Sequence, residues 1–222
     1  VPVAVVPNGV DIPAGTGTEP EHGAGGNILL YLGRLHEKKG LLPLLEAWGR
    51  WRTLESAPWR LVLAGFGHPG FEARLHRAGN VLVPDGSLHF AGPAYGETKT
   101  SLYDAASAVV LPSFSEGLPM SVLEAWAHAR PVMMSRQCHL DAGFGAGAAI
   151  KVEPDAGSIV EGLRALSRLS ARERLEMGHR GLDLVRRDFA WSSVAASMAS
   201  VYDWLLGSGA RPDCVNDPGG VT

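Results

Sequence analysis

Two segments of this sequence have the residue types that bind a phosphate-bearing ligand. The first is the turn after Gly33, which contains Arg34 and Lys39 and leads into a predicted helix near Leu41. A turn from a strand into a helix points backbone N–H groups and the positive helix end at a bound anion. Arginine adds a planar fork that binds two oxygens, and lysine adds a compact charge. A solvated, charged turn explains this segment equally well, and Lys38 is best explained as an exposed side chain.

The second segment places two glutamates around a predicted helix start. Glu116 precedes the helix, and Glu124 lies about one and a half turns into it. Carboxylates only accept hydrogen bonds, which suits them to the paired hydroxyls of sugars. One glutamate would therefore hold a transferred sugar and the other a ribose, with phosphates between them. The alternative is structural: Glu116 complements the helix dipole, and Glu124 pairs with His128 one turn further on.

The residues between the two glutamates suit a pyrophosphate. Gly117 permits close approach of the backbone, and Pro119 fits a first helical turn because its missing N–H would have no partner there. The helix start would then present free N–H groups to the ligand, those of Leu118, Met120 and Ser121.

A third, glycine-rich segment indicates a different enzyme class. The segment 65–70 fits the pattern G-x-G-x-x-G after a predicted strand, and Asp85 lies 20 residues beyond Gly65. This pattern is typical of dinucleotide-binding domains and would make the protein an NAD-dependent oxidoreductase. Two features disfavour that interpretation. Asp85 precedes a predicted strand, whereas the acid that binds ribose should lie at a strand's end, and Pro69 limits the loop.

The elements that would position these residues alternate between short apolar runs and helical stretches. Such alternation predicts an α/β fold with a Rossmann-like parallel sheet and helices on both faces. Active sites of such sheets gather at the carboxyl ends of the strands. Six buried strands are predicted, at 27–33, 59–65, 88–92, 108–113, 131–135 and 148–152. Between them, helices are predicted around 41–51, 71–78, 99–106 and 118–129.

The last third of the chain is predicted to be mostly helical. Two apolar stripes at helical spacing run through it, one of Ile159, Leu163, Leu166 and Leu169 and the other of Val194, Met198, Val201, Tyr202 and Leu205. The segments 14–26 and 207–222 are rich in glycine and polar residues, and both are predicted to be mobile.

The composition limits the classes of function. The chain has 222 residues, of which 45% are hydrophobic, and a formal net charge of -3. This composition is globular, and its charge argues against a protein that coats nucleic acid. Cys138 and Cys214 form no Cys-x-x-Cys pair, which argues against a zinc site or a disulfide framework and favours a cytoplasmic setting. No apolar run approaches the roughly 20 residues that span a bilayer.

Together, these segments resemble the family 4 (group 1) glycosyltransferases, which have the GT-B architecture of two Rossmann-like domains facing across a cleft. The resemblance extends from Val5 to about Leu206 and covers only the second, donor-binding domain. It implies that 1–206 form the C-terminal donor-binding domain, that 207–222 are a tail, and that the N-terminal, acceptor-binding domain is absent from this chain. The missing initiating Met agrees with that expectation. The motifs are 7–11 (PNGVD), 33–40 (GRLHEKKG) and the Glu-x7-Glu pattern from Glu116 to Glu124.

By this resemblance, the site residues hold a nucleotide-diphosphate sugar. Arg34 and Lys39, on the turn that begins at Gly33, would contact the diphosphate. Glu116 would contact the hydroxyls of the donor sugar, and Glu124 would hold the ribose. The backbone would approach sugar and phosphate at Gly117, Leu118, Pro119 and Met120, and the turn at Pro93 and Ala94 would meet the base.

The resemblance also implies the reaction. Members of this family transfer a hexose from a UDP-, GDP- or ADP-sugar to a glycan, lipid or other acceptor with retention of configuration, and they generally need no metal or other cofactor. We expect the isolated chain to be inactive, and we expect the full-length enzyme to be cytoplasmic or peripheral to the inner face of the membrane. The alternative from another class is a non-catalytic nucleotide-sugar-binding module. A further upstream domain of roughly 170 residues would distinguish the enzyme from such a module.

Two stretches depart from the family's pattern. Ala106 and Ser107 stand where many members have alanine followed by an acidic residue. The segment 136–141 (RQCHLD) stands where many have a glycine pair that leads to an acidic residue. His139 in this segment is either a sugar contact or an ordinary surface histidine, and the second interpretation is favoured.

Overall fold

The computed structural model describes residues 1–17, 26–55 and 58–217 and has an α/β fold. The strands are β1 (Val3–Ala4), β2 (Asn27–Leu32), β3 (Trp59–Ala64), β4 (Leu88–Gly92), β5 (Ala108–Leu111), β6 (Val132–Ser135), β7 (Ala149–Val152) and β8 (Val215–Asn216). The α-helices are α1 (Leu41–Leu54), α2 (Pro69–Leu82), α3 (Gly96–Ala105), α4 (Met120–Ala127), α5 (Asp141–Gly145), α6 (Ala156–Arg168), α7 (Ala171–Leu184) and α8 (Trp191–Leu205). Short 3-10 helices span Glu37–Lys39 and Arg136–Cys138, and a π-helix spans Val185–Phe189.

Six parallel strands form the main sheet in the order β4-β3-β2-β5-β6-β7. From β2 the chain winds outward through β3 to β4. It then crosses to the other side of β2 and continues through β5, β6 and β7. The winding direction therefore reverses between β2 and β5. Open parallel sheets bind their ligands at such a reversal, beyond the carboxyl ends of the strands.

The six predicted strands are all present, and their ends lie within two residues of the predicted ones. The centre of the sheet is apolar and buried, as the runs around Leu30 and Val110 predict. The prediction of burial is wrong for both edge strands, because His89 and Ala91 of β4 and Lys151 of β7 are exposed. β4 lies at the edge of the sheet and has a neighbouring strand on one side only, so its alternate residues reach solvent.

The helices lie on both faces of the sheet. On one face α1 packs against α2 and α6, and on the other α4 packs against α7. The apolar stripe predicted in α1 is buried, and Trp48 and Trp51 are among its largest buried side chains. The stripe predicted in α6 is buried at Ile159, Leu163 and Leu166. These apolar faces hold the strands in place, and with them the turns at the strand ends.

The last helix differs from the prediction. Val194 and Val201 of its predicted stripe are buried, whereas Met198, Tyr202 and Leu205 are 38%, 59% and 65% exposed. Helical spacing predicted the apolar stripe correctly, but α8 has only a narrow contact with the rest of the described chain.

The two segments predicted to be mobile are only partly described. In the tail, β8 pairs antiparallel with β1. This strand pair holds the tail at Val215–Asn216 against the start of the chain. Residues 218–222 and, in the segment 14–26, residues 18–25 lie outside the described residues. No helix in the described ranges is both long enough and apolar enough to cross a bilayer. Cys138 is buried, Cys214 is partly exposed, and both are free thiols.

Candidate functional site

The turn after β2 and the loop after β5 meet at the reversal point of the sheet. Phe114 N donates to the backbone oxygen of Lys38 at 2.7 Å, which joins the two segments directly. Gly40 has a φ of 68°, and a Cβ there would lie 2.0 Å from the oxygen of Pro112. Glycine is therefore required at position 40, because only a residue without a Cβ lets the turn approach the strand end this closely.

A cavity of ≈ 360 Å³, which we call the strand-end cavity, opens between these segments. Most of the residues that the resemblance implies for donor binding line it: Gly33, Arg34, Lys39, Ala94, Glu116, Leu118, Pro119, Met120 and Glu124. Pro93 does not line it, and Gly117 lines a neighbouring cavity. The structure therefore brings both cations and both glutamates to a single cavity.

Glu116 is held by a lysine and a hydroxyl. Lys39 Nζ lies 2.6 Å from Oε1 and 2.8 Å from Oε2 of Glu116, and the Ser113 hydroxyl also donates to Oε1. Below this pair, the hydroxyl of the buried Tyr31 donates to the backbone oxygen of Arg34 at 2.7 Å. Burial, and then the negative charge of Glu116, raise the pKa of Tyr31 far above its usual value, so this phenol remains a hydrogen-bond donor.

Glu124 is held in the same way by residues of α3. Lys99 Nζ lies 2.8 Å from Oε1, and the hydroxyl of Tyr103 donates to Oε2 at 2.9 Å. Burial, and then the charge of Glu124, raise the pKa of Tyr103 well above its usual value. The alternative of a Glu124–His128 pair is wrong, because the ring nitrogen Nδ1 of His128 lies 2.8 Å from a carboxylate oxygen of Asp104 instead.

Sequence reasoning missed the partners Ser113, Lys99 and Tyr103. Ser113 lies three residues before Glu116, so its contact is local. Lys99 and Tyr103 are four positions apart and share one face of α3, which is the only signal that they act together. Nothing in their spacing connects that face with Glu124, because α3 and α4 meet only through the tertiary structure.

The start of α4 adds backbone donors to the cavity. In the first turn of α4, Val122 N donates to the backbone oxygen of Pro119 at 3.0 Å. The N–H groups of Met120 and Ser121 come before Val122 N in the chain and lie at the N-terminus of α4, the positive end of the helix dipole. Both residues line the strand-end cavity. An anion in the cavity would therefore have backbone donors and side-chain cations around it.

The glycine-rich segment after β3 forms one wall of the cavity. Gly65 has a φ of 147°, and a Cβ there would lie 1.8 Å from the oxygen of Gly33. Glycine at position 65 therefore lets the turn after β3 approach the turn after β2 closely. Phe66 and Tyr95, which sequence reasoning also missed, line this wall and are 52% and 67% exposed. Exposed aromatic rings beside a cavity provide faces on which a planar base can stack.

Asp85 contradicts the dinucleotide-binding alternative. It precedes β4, at the amino ends of the strands, whereas the cavity lies at their carboxyl ends. Its carboxylate accepts from Ser87 N at 3.0 Å and pairs with Arg52 at 2.7 Å. Burial raises the pKa of Asp85, but the hydrogen bonds from Ser87 and Arg52 and the positive charge of Arg52 outweigh this effect and leave the pKa below its usual value. Asp85 therefore stabilises a turn and cannot bind a ribose in this cavity.

The family model described as "Glycosyl transferases group 1" matches residues 26–168, which include both cations and both glutamates of the cavity. The chain belongs to the group 1 glycosyltransferases. A curated relative, the D-inositol 3-phosphate glycosyltransferase of Kineococcus radiotolerans, is 30% identical over 90% of this chain and 51% of that protein. The chain spans 31% to 51% of the length of the curated relatives that it matches.

Solved structures have the same α/β fold over about half of their own length. Sucrose-phosphate synthase from Thermosynechococcus elongatus aligns with a TM-score of 0.75 and 23% identity, over 92% of this chain and 53% of that one. An Anabaena protein in complex with UDP and glucose aligns with a TM-score of 0.71 and 14% identity, over 81% of this chain and 49% of that one.

The two departures from the family's pattern have different surroundings in the structure. Ser107 is buried, and its hydroxyl accepts from Ile28 N at 2.9 Å, so it connects β2 with the start of β5. His139 is exposed, has a positive φ of 54° and lines neither the strand-end cavity nor its neighbour. Ser107 therefore has a structural contact, and the surface interpretation of His139 agrees with its position.

Proposed function

We propose that this chain is the C-terminal, donor-binding domain of a retaining hexosyltransferase that uses a UDP-, GDP- or ADP-sugar. The observation that supports this proposal most strongly is the meeting of Arg34, Lys39, Glu116 and Glu124 in one cavity. Cations for a diphosphate and carboxylates for two sets of hydroxyls are the groups that a nucleotide-diphosphate sugar requires.

In this proposal, the donor lies along the cavity with its diphosphate between the two glutamates. Arg34, Lys39 and the first N–H groups of α4 bind the diphosphate. Glu124 accepts hydrogen bonds from the ribose, and Glu116 accepts them from the hexose. The base stacks near Ala94, on the wall formed by the exposed rings of Phe66 and Tyr95.

Binding of the donor requires an exchange of partners. In the structure Lys39 is paired with Glu116. A diphosphate would draw the ammonium of Lys39 towards its oxygens, and the freed lone pairs of Glu116 would then accept from the hexose. Because each carboxylate oxygen has two lone pairs, Glu116 can keep the Ser113 hydroxyl as a partner throughout.

The chemical task of this domain is to stabilise the leaving nucleoside diphosphate. Negative charge develops on the diphosphate as its bond to the anomeric carbon breaks, and Arg34, Lys39 and the α4 dipole lie where this charge forms. Transfer also requires an acceptor held against the anomeric carbon. We propose that an acceptor-binding domain outside this chain supplies a glycan, lipid or other acceptor, in agreement with the fraction of the relatives' length that the chain spans.

Isothermal titration calorimetry with UDP, GDP and ADP, in buffer containing EDTA, tests the proposal. We expect at least one nucleotide to bind without divalent metal, and Arg34→Ala to weaken it about tenfold, the effect of one charge-assisted contact. Arg168→Ala is the matched control, because Arg168 is exposed at the far end of α6. Binding that appears only with added magnesium would contradict metal-free recognition, and no binding under either condition would contradict the function.

A further inference from the structure

A second cavity, of ≈ 300 Å³, adjoins the strand-end cavity. The two cavities share Arg34, Lys39 and Glu116, whereas Phe66 and Tyr95 line only the first. The second cavity therefore lies beyond the groups proposed to hold the diphosphate and the hexose, on the side away from the proposed base. We call it the basic cavity.

The lining of the basic cavity is entirely polar or glycine. Besides the three shared residues, it consists of His36, Lys38, Ser115 and Gly117. Lys39 is neutralised by Glu116, but within the described ranges Arg34 and Lys38 have no carboxylate within ion-pair distance. A concave surface with two uncompensated cations and no apolar wall attracts an anion much more strongly than a neutral sugar.

Hydrogen bonds hold the backbone on both sides of this cavity. Lys38 N donates to Nδ1 of His36 at 3.1 Å, and the carbonyl of Lys38 accepts from Phe114 N. On the opposite side, Glu116 N donates to the oxygen of Gln137 at 3.0 Å. Because Nδ1 of His36 accepts this hydrogen bond, the other ring nitrogen, Nε2, is left to donate to a ligand.

We propose that the basic cavity is a subsite for an anionic group, a phosphate or a carboxylate, at the hexose end of the donor. This inference rests on the proposed donor-binding function, because that function places the hexose beside Glu116. Lys38, Nε2–H of His36 and the Ser115 hydroxyl bind the anionic group. The group comes from one of two sources, a carboxylate on the donor hexose or a phosphate on the acceptor.

Two calorimetric titrations distinguish the sources. The first compares UDP-glucuronate with UDP-glucose, which differ only at C6, where a carboxylate replaces a hydroxymethyl group. The second titrates inorganic phosphate into protein saturated with UDP. Both are repeated with Lys38→Ala and with the control Lys151→Ala, which removes an exposed lysine on β7 that lines neither cavity. The first titration gives the ratio of the affinities for UDP-glucuronate and UDP-glucose. A variant that binds all nucleotides more weakly leaves this ratio unchanged.

Each outcome has a definite meaning. A donor-borne carboxylate predicts that the wild type prefers UDP-glucuronate about tenfold and that Lys38→Ala removes most of this preference. An acceptor-borne phosphate predicts instead that Lys38→Ala weakens phosphate binding about tenfold. Normal UDP binding with neither effect overturns the subsite and leaves the donor-binding function intact. Failure of the wild type to bind UDP, GDP and ADP overturns both proposals.

Discussion

The ammonium of Lys39 lies within 2.8 Å of both carboxylate oxygens of Glu116, although the two residues are 77 positions apart. The side chain of Glu116 is only 9% exposed and that of Lys39 only 20%. Without a ligand, the proposed diphosphate cation and the proposed sugar-binding carboxylate therefore neutralise one another. This pair connects the stability of the folded chain with the binding of the proposed donor.

Lys39→Met should destabilise the chain by about 2 kcal/mol, because it leaves the charge of Glu116 without its ion partner in a nearly buried site. The double variant Lys39→Met/Glu116→Gln should recover at least half of this loss, since no unpaired charge remains. Urea unfolding at pH 7 measures both. Arg50→Met, which breaks the exposed pair with Glu46, is the control and should cost less than about 0.5 kcal/mol. Equal losses in Lys39→Met and Arg50→Met would contradict the prediction.

The two glutamates should differ in what their loss does to binding. Glu124→Ala removes the proposed ribose acceptor and should weaken UDP about tenfold. Glu116→Ala frees Lys39 for the diphosphate and should leave UDP affinity unchanged or higher, while it abolishes discrimination between UDP-glucose and UDP-galactose. Calorimetry with all three ligands measures this division. Equal losses of affinity for UDP in both variants would argue that the glutamates do not have separate roles.

Lys99→Met should reduce the preference for UDP over 2′-deoxy-UDP about fivefold, an effect of roughly 1 kcal/mol. Lys99 holds Oε1 of Glu124, so its loss should leave the proposed ribose acceptor less fixed. Lys99→Arg, which keeps the charge, should retain most of the preference. If Lys99→Met weakens both nucleotides equally, Lys99 acts on the phosphates and not through Glu124.

Cys138 should make stability depend on pH in the alkaline range. Burial raises the pKa of its thiol from 9.0 to about 11. Between these values the unfolded chain loses the proton before the folded chain does, so stability falls as pH rises, by at most about 1.4 kcal/mol per pH unit. Cys138→Ala should reduce this decline between pH 9 and 10 in urea unfolding.

The slope of stability against pH, compared between the wild type and Cys138→Ala, separates the contribution of Cys138 from that of other titrating groups. Tyr31 and Tyr103 also have raised pKa values, but both are present in the wild type and in Cys138→Ala. Any cost of the smaller side chain shifts stability at all pH values and leaves the slope unchanged. Parallel curves for the two proteins from pH 8 to 10 would show that Cys138 does not contribute. As an independent check, iodoacetamide at pH 8 should modify Cys214 and leave Cys138 unmodified.

Tertiary contacts corrected several local interpretations. Helical spacing predicted the apolar stripe of α8, but spacing does not reveal whether another element covers it, and Tyr202 and Leu205 are exposed. The pairing of Glu124 with His128 followed from their separation of one turn, yet Tyr103 and Lys99 compete successfully for the carboxylate. Asp85 has the spacing of a ribose-binding acid and lies at the wrong end of the sheet.

The sequence by itself determined the parallel sheet and the two segments that meet at its reversal point. Buried strands and amphipathic helices depend on residues that are close along the chain, so their pattern can be read locally. Only the tertiary structure decided that Lys39 pairs with Glu116, that Lys99 and Tyr103 hold Glu124, and that a basic cavity adjoins the first. These contacts join residues far apart in the sequence, and their distances depend on how whole helices pack on the sheet.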